Sequence, residues 1–478
     1  MTCGHPLAPL PRGCPQYFFY ICYMKTTPVL NILFLKPLRF ILLVVLLVVC
    51  GKGYGQIITT FAGGGSGGDG GPAAAASIYD PTVIIFDKHD NVYITESVGH
   101  DIRKVSPTGI ITTYAGTNGT AGYGGDGGAA TAAMLNEPVG IVCDSIGNLL
   151  ICDALNNRVR KVDVATGIIS TVLGNGTMTD LGDGGPATAA TMHYPSGIIF
   201  DKAGNLYVSS AWYIRKINKY GIISTIAGIG ISGNTGDGGP ATSAKVNIGC
   251  MCFDDADNLI FTDVGFSVIR KISPAGIISH VAGVTGTYIF NGDGIPASNA
   301  HFDPYGIAFG PDGNLYFSDL NNNRIRVIDR SGIIHTVAGT GAVGISGDGG
   351  RADTAEIDRP DGLVFDSCGN LYFTQIDNPR VRKVTYPHCG YLSVEESKSR
   401  TSDIRFYPNP VADMLFIEGG VPLESVVLTD LLGKVVYRQD GVRAGTLLVS
   451  MGNLPCGIYV LEVMNSEGVR EVRRVVKE

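Results

Sequence analysis

Gly310–Gly339 reads GPDGNLYFSDLNNNRIRVIDRSGIIHTVAG. With Gly306–Phe309 (GIAF) just ahead of it, this stretch predicts four short strands: Gly306–Phe309, Leu315–Ser318, Arg324–Ile328 and Ile333–Ala338. Pro311-Asp312-Gly313-Asn314 links the first two, and Asp-Gly and Gly-Asn pairs tolerate the positive φ that a tight hairpin demands. Ser331-Gly332 forms the next turn. No window shows a sustained 3.6-residue apolar period with helix caps.

The phrase I-I-x-T-x-A-G recurs with small changes, beginning at Ile57, Ile110, Ile168, Ile222, Ile277 and Ile333, at spacings of 53, 58, 54, 55 and 56 residues. Each copy leads into a glycine-rich G-D-G stretch, an apolar run, a D-x-x-G-N-L-Y-like turn and an I-R-K-like run. Four antiparallel strands repeated at this period describe a propeller blade. Six copies, Ile57 to Tyr386, predict an all-β, six-bladed β-propeller of four-stranded blades. The repeat opens on a fourth strand, Ile57–Ala62, and ends on a third strand, Val381–Thr385. The N-terminal strand is therefore expected to close the ring, which also removes an open edge. Four inner strands begin with glycine (Gly140, Gly197, Gly306, Gly362), as expected where backbones crowd around an axis, with Val83 and Cys250 as exceptions.

Composition agrees. Of 478 residues, 66 are glycine, 45% are hydrophobic and 17% are charged. A disordered acidic chain is excluded by the apolar content, and collagen by the lack of a Gly-X-Y period. The net charge of −7 and the absence of a basic stripe argue against nucleic acid as a partner.

The run D-x-x-G-N-L-Y-x-x-D…N-R-I-R followed by G-I-I-x-T-x-A-G resembles the NHL repeat. The fifth unit and the second (DSIGNLLICDALNNRVRKV, 144–162) match best, while the third and fourth lack the N-x-R element. The resemblance covers about 330 residues. It implies a six-bladed propeller without fixing an activity, since such propellers host binders and enzymes alike.

Three sets of residues stand out. The G-D-G aspartates, Asp69, Asp126, Asp183, Asp237, Asp293 and Asp348, should lie on one face of the disc. Their repetition in every unit favours a structural role, each accepting hydrogen bonds from glycine N–H groups of its own loop. Asp153 with Arg158, and Asp319 with Arg324, share a spacing of five, with Glu96, Asp263 and Gln375 in the matching position elsewhere and Gln375 set against Arg380. These are expected to brace the loop between second and third strands. The second arginine of each pair (Arg103, Arg160, Arg215, Arg270, Arg326, Arg382) is present in all six units.

The third set breaks the symmetry. The residues leading into the inner strands are Asp80, Glu137, Tyr194, Ile248, Asp303 and Arg359, followed beyond the proline by Thr82, Val139, Ser196, Cys250, Tyr305 and Asp361. They should ring the mouth of the central channel. Asp80, Glu137, Tyr194, Asp303, Tyr305, Arg359 and Asp361 are the candidate binding residues for a polar ligand. No catalytic residue is assigned: Walker loop, C-x-x-C and H-x-x-x-H are all missing. His193 and His301, near inner-strand starts, are the two histidines worth testing. No cofactor is expected. A divalent cation at the channel is what a lyase or lactonase alternative would require.

The chain ends carry targeting signals. Phe40–Val49 (FILLVVLLVV) follows Lys25, Lys36 and Arg39, the pattern of a secretory signal peptide, with Met24 as an alternative start. Ten residues reach about 15 Å as a helix, half a bilayer core, so no stable transmembrane segment is expected. Cleavage before Gln56 would take five basic residues and move the net charge from −7 to −12. Seven cysteines would remain, Cys143, Cys152, Cys250, Cys252, Cys368, Cys389 and Cys456, an odd scatter that reads as small buried side chains. Residues 387–402 are polar and irregular, an expected linker. From 403 to 478 the pattern turns to seven or so short strands, expected as a small β-sandwich. Its Tyr407-Pro408-Asn409-Pro410 start, D-L-L-G-K-V-V turn, L-P-x-G-I-Y-V-L-E-V run and basic tail resemble the C-terminal sorting domain of the type IX (Por) secretion system. That resemblance implies secretion or outer-membrane surface attachment after signal-peptide cleavage, with the secretion machinery as a partner.

The expected domains are thus 1–55 signal region, 56–386 propeller, 387–402 linker and 403–478 sorting domain. The expected function is non-catalytic recognition of a protein, peptide or glycan.

Overall fold

The computed structural model describes residues 56–386, position 211 aside, and 405–477 with short gaps. The apolar run 40–49, the expected cleavage point, the linker, Cys389 and Cys456 lie outside the described residues.

The quoted stretch folds as read. Pro304–Phe309, Leu315–Asp319, Arg324–Ile328 and Ile333–Ala338 pair antiparallel in that order. The inner strand begins two residues earlier than expected, at its proline, where a missing N–H costs nothing. The same order recurs, and the described residues from 57 to 385 form six such sheets, with inner strands Pro81–Phe86, Pro138–Cys143, Pro195–Phe200, Ile248–Phe253, Pro304–Phe309 and Pro360–Phe365. The fifth sheet gains a two-residue strand, Ile295–Pro296. Each inner strand packs on the next, and the sixth returns to the first.

Ring closure is as anticipated. Ile57–Gly63 pairs antiparallel with Arg380–Thr385, Ile57 opposite Thr385. The last sheet therefore takes its outer strand from the start of the repeat region. The rings of Phe61 and Phe86 each meet Tyr372 edge-on with centroids 5.0 Å apart, tying the two ends of the repeat region together.

The apolar interior is divided. Six clusters lie between neighbouring sheets. One joins Tyr93, Ile102 and Ala115 to Leu135, Ile141 and Ile151. Strands with outward and inward sides both buried, such as Leu149–Asp153, have no polar face. Each loop after a G-D-G element carries one short 3₁₀ turn, and its first alanine (Ala73, Ala130, Ala187, Ala241, Ala297, Ala352) plugs a cluster edge.

Inner-strand glycines answer to backbone crowding. A Cβ on Gly140 would sit 1.9 Å from the Ser196 carbonyl oxygen, and one on Gly306 2.2 Å from that of Asp361. Cys143, Cys152, Cys250 and Cys252 are free thiols, Cys152 and Cys252 fully or nearly buried.

The C-terminal residues form two further antiparallel sheets. One orders Arg405–Tyr407, Met414–Glu418 and Thr446–Ser450; the other orders Val435–Asp440, Leu423–Asp430, Gly457–Asn465 and Arg470–Lys477. Leu415, Ile417 and Val449 from the first share one cluster with Val426, Leu428, Leu461 and Val475 from the second. Among the described residues no helix is long and apolar enough to cross a membrane.

Candidate functional site

The second arginine of each third strand is the core of a repeated clamp. All six are buried, at most 2% exposed. Each reaches the G-D-G aspartate of the loop lying over its own sheet: Arg103–Asp69 2.6 Å, Arg160–Asp126 2.7 Å, Arg215–Asp183 2.7 Å, Arg270–Asp237 2.9 Å, Arg326–Asp293 2.9 Å and Arg382–Asp348 2.8 Å. The same aspartates accept from the fourth strand, as where Thr113 N–H donates to Asp69 at 2.7 Å and Thr60 N–H to Asp348 at 3.0 Å. The partners are thus guanidinium and outer strand rather than the loop's own glycine N–H groups. Burial works against the charge of Asp69, but these hydrogen bonds and Arg103 outweigh it and hold the carboxyl below its ordinary range.

The other arm of the clamp corrects the expected spacing of five. Asp153 bonds Arg160 at 3.2 Å, Asp319 bonds Arg326 at 3.3 Å, and Gln375 bonds Arg382 at 3.3 Å. Arg158 and Arg324 turn outward at the strand ends, to the carbonyls of Asn156 and Asn175, and of Asn322 and Thr340. Their guanidiniums stack 3.8 Å over Tyr123 and 3.9 Å over Phe290. In the third sheet Ser210 replaces the acid, and Asp180 from the preceding loop fills in, accepting from Ser210 Oγ and lying 3.9 Å from Arg215. Sequence reasoning missed Asp180.

The first sheet departs from this scheme. Glu96 lies opposite Asp101, where the second and fifth sheets set an acid opposite arginine. Both side chains are fully buried and hydrogen-bond each other. Among the described residues no other donor reaches Glu96 Oε2 or either Asp101 oxygen. Two carboxyls in such contact hold one proton between them. Burial first, then the Asp101 charge, pushes the Glu96 carboxyl up, against Arg103.

The asymmetric residues lie at the starts of the inner strands. Asp80, Glu137, Tyr194 and Arg359 each precede an inner-strand proline in the left-handed region, at φ of 50°, 52°, 50° and 40°. This conformation is costly for such side chains, and it is retained at functional sites. Glu137, Tyr194 and Arg359 are pinned from the neighbouring sheet, Asp80 from its own. Glu137 N–H donates to His100 Nδ1 at 3.1 Å, Tyr194 N–H to Asn157 Oδ1 at 3.0 Å, and Arg359 N–H to Asn323 Oδ1 at 2.9 Å. His100, Asn157 and Asn323 are themselves left-handed, at 56°, 53° and 51°. The asparagine of N-R-I-R is therefore an inter-sheet staple, legible as a motif but not as a contact.

The side chains converge in two groups. Tyr194 donates its hydroxyl to Glu137, joining second and third sheets. On the other side lie Asp80, held by Ser97 Oγ, Asp303, held by Asn321 Nδ2 at 2.5 Å, Tyr305, Arg359 and Asp361. Asp303, Asp361 and Arg359 all act on the Tyr305 phenol, which burial raises first of all. Burial, then Asp80, pushes Asp361 up to about 7 against Arg359.

One expected position is corrected. The counterpart of Asp80 in the fourth sheet is Asn247, whose N–H donates to Asp263 at 2.9 Å. Ile248 already begins the strand, so Gly249 rather than Cys250 matches Thr82. The one-residue shift follows from the missing proline. His193 and His301 are held through backbone N–H to Asp180 and Asn291, and among the described residues no three His, Cys, Asp or Glu side chains gather as a metal set.

Residues 405–478 match the family described as secretion system C-terminal sorting domain, and 176–232 match the teneurin NHL domain. The chain is 26% identical over 324 residues to human teneurin-4, covering 62% of this chain and 11% of that one. It is 25% identical over 286 residues to protein SUPPRESSOR OF QUENCHING 1 of Arabidopsis thaliana, covering 56% and 26%. The chain thus spans between about a tenth and a quarter of the curated relatives it matches. A crystal structure described as an auxiliary nutrient binding protein from Bacteroides ovatus superimposes with a TM-score of 0.53, at 16% identity over 70% of this chain and 77% of that one. A Bacteroides thetaiotaomicron protein of unknown function gives 0.51, at 18% over 69% and 76%. The chain carries an NHL-like propeller and, behind it, a C-terminal sorting domain that indicates secretion and cell-surface attachment.

Proposed function

We propose that residues 56–386 form a six-bladed propeller, 387–402 a linker and 403–478 a β-sandwich sorting module, and that the exported propeller is a non-catalytic binding protein. Its ligand, a protein, peptide or glycan, seats at the ring mouth. The observation that supports this reading is the contrast between repeated and unrepeated positions. The clamp is present in every sheet, and its aspartates are occupied by arginine, so they offer a ligand little. The mouth positions carry Asp80, Glu137, Tyr194 and Arg359 in one strained conformation with four different side chains. One shared backbone geometry presenting side chains that differ from sheet to sheet is what a recognition site offers.

Peptide and glycan arrays probed with the full chain test this. Glu137→Ala and Tyr194→Phe break the contact that joins two sheets and are expected to abolish or reorder the hits while leaving the fold intact by circular dichroism. Hits that survive both changes and Asp303→Asn unchanged would put recognition elsewhere.

A further inference from the structure

The second strand carries a tyrosine at one register position in four of the six sheets: Tyr93, Tyr207, Tyr316 and Tyr372, each at most 8% exposed. The surroundings of this phenol repeat. Its hydroxyl donates to the aspartate of the hairpin between first and second strands: Tyr93 to Asp87 Oδ2 at 3.3 Å, Tyr207 to Asp201 Oδ2 at 3.2 Å and Tyr316 to Asp312 Oδ2 at 2.9 Å. Its ring meets, edge-on, the phenylalanine that ends the next inner strand: Tyr207 and Phe253 with centroids 5.2 Å apart, Tyr316 and Phe365 4.9 Å, Tyr372 and Phe86 5.0 Å. The lysine opposite on the third strand lies over the ring, Lys104, Lys216 and Lys383 at 5.7, 5.1 and 5.0 Å. An aromatic edge, an acceptor for the hydroxyl and a cation over the face together make a complete phenol site.

The second sheet builds this site without the phenol. Leu150 stands at the tyrosine position, opposite Lys161. Val172 follows Thr171, opposite Arg160, where the first sheet has Tyr114 after Thr113. Phe200, the counterpart of Phe253, packs near Leu150 and meets no ring among the described residues. Asp144 Oδ2 accepts from Asn148 Nδ2 at 2.7 Å and, among the described residues, from no hydroxyl. The smaller side chains leave a cleft of about 620 Å³ between the second and third sheets, lined by Leu150, Val172, Phe200, Lys161 and Asp144. Small-molecule sites run from roughly 300 to 1,000 Å³. The fourth sheet also lacks the ring, at Ile260, but Ile295 from the next G-D-G loop packs on the same cluster there. At the matching place beside the cleft the chain has Gly185, with no side chain to close it.

We propose that the cleft between the second and third sheets binds a phenol, borne by a tyrosine side chain or by a free small molecule, with its ring against Leu150 and Phe200 and its hydroxyl donating to Asp144. This site lies at the ends of the inner strands rather than their starts, and it is independent of the binding reading given above.

Ligand-observed NMR titration of the full chain with N-acetyltyrosine amide and N-acetylphenylalanine amide tests it. The tyrosine amide is expected to bind with a Kd on the order of 1 mM. The phenylalanine amide, which lacks the hydroxyl, is expected to bind about fivefold more weakly or worse. Leu150→Tyr supplies the ring from the chain itself, so binding should be lost while the melting temperature stays at or above that of the parent. If that variant does not fold, Lys161→Ala keeps the test open, with binding expected to weaken about threefold. The pentapeptide Gly-Gly-Tyr-Gly-Gly separates the two sources: tighter binding than the amide assigns the site to a tyrosine within a chain, weaker binding to a free phenol. No binding of the tyrosine amide, equal binding of the phenylalanine amide, or binding that survives Leu150→Tyr or Lys161→Ala unchanged would each overturn the proposal. Glu137→Ala and Tyr194→Phe should leave amide binding as it is. Loss of it in those variants would move the phenol to the inner-strand starts, so that this inference falls and the binding reading stands.

Discussion

Glu96 and Asp101 face each other where other sheets place an acid against arginine, and Arg103 is the cation beside them. Asp69 is the other charged group that acts on Asp101. The folded state holds the shared proton more tightly than the unfolded chain does. The contribution of this pair to stability is therefore full below the ordinary carboxyl range, about 4, and is lost as pH rises through the raised folded value. Glu96→Gln puts there what the sixth sheet already has in Gln375, which bonds Arg382. It should gain on the order of 1–2 kcal/mol at alkaline pH and almost nothing in mild acid. Denaturant unfolding across that pH range checks this, and an unchanged pH slope would contradict a shared proton.

At this scale the sequence announced types better than partners. The six arginines and six aspartates were visible as repeats, but strand spacing alone favoured Arg158 for Asp153. The fold instead sends Arg158 outward and brings Arg160, two residues on, to the buried carboxylate. Asp180 was invisible because its role exists only where Ser210 has displaced the usual acid.

Strands and turns were legible almost throughout, since Asp-Gly and Gly-Asn punctuation falls at fixed offsets. The 3₁₀ turns were not, because three residues such as Ala130–Ala132 show no period. The alignment slipped at Ile248, where the proline marker is absent. Two predictions belong to elements. Gly140→Ala forces a Cβ to within 1.9 Å of the Ser196 carbonyl, between two inner-strand backbones that have no room to part. Overpacking ordinarily costs about 1–3 kcal/mol, and backbone on both sides puts this change at or above the upper end, measured by denaturant unfolding. Removing Gln56–Gly63 would leave Arg380–Thr385 as an open edge beside two clusters, one lacking Ile58 and the other Ala62. Self-association is expected by light scattering, and a monomer as stable as the parent would show that closure contributes nothing.

For the whole molecule, the ring and the tail do separate work. The tail is a sorting signal, so deletion of 405–478 should leave the propeller unexported, in cell fractions rather than at the surface or in the medium, and export without the tail would contradict that assignment. In the ring every third-strand arginine is locked to an aspartate, and in the reading proposed above the residues that differ between sheets at the inner-strand starts hold the ligand. The measurement that bears most directly on recognition there is a crystal structure of the chain with the strongest array hit bound. Density between Tyr194 on one side and Asp80, Tyr305 and Asp361 on the other is the predicted result. A ligand seated on the outer strands or on the opposite face of the ring, with the mouth unchanged, would contradict it.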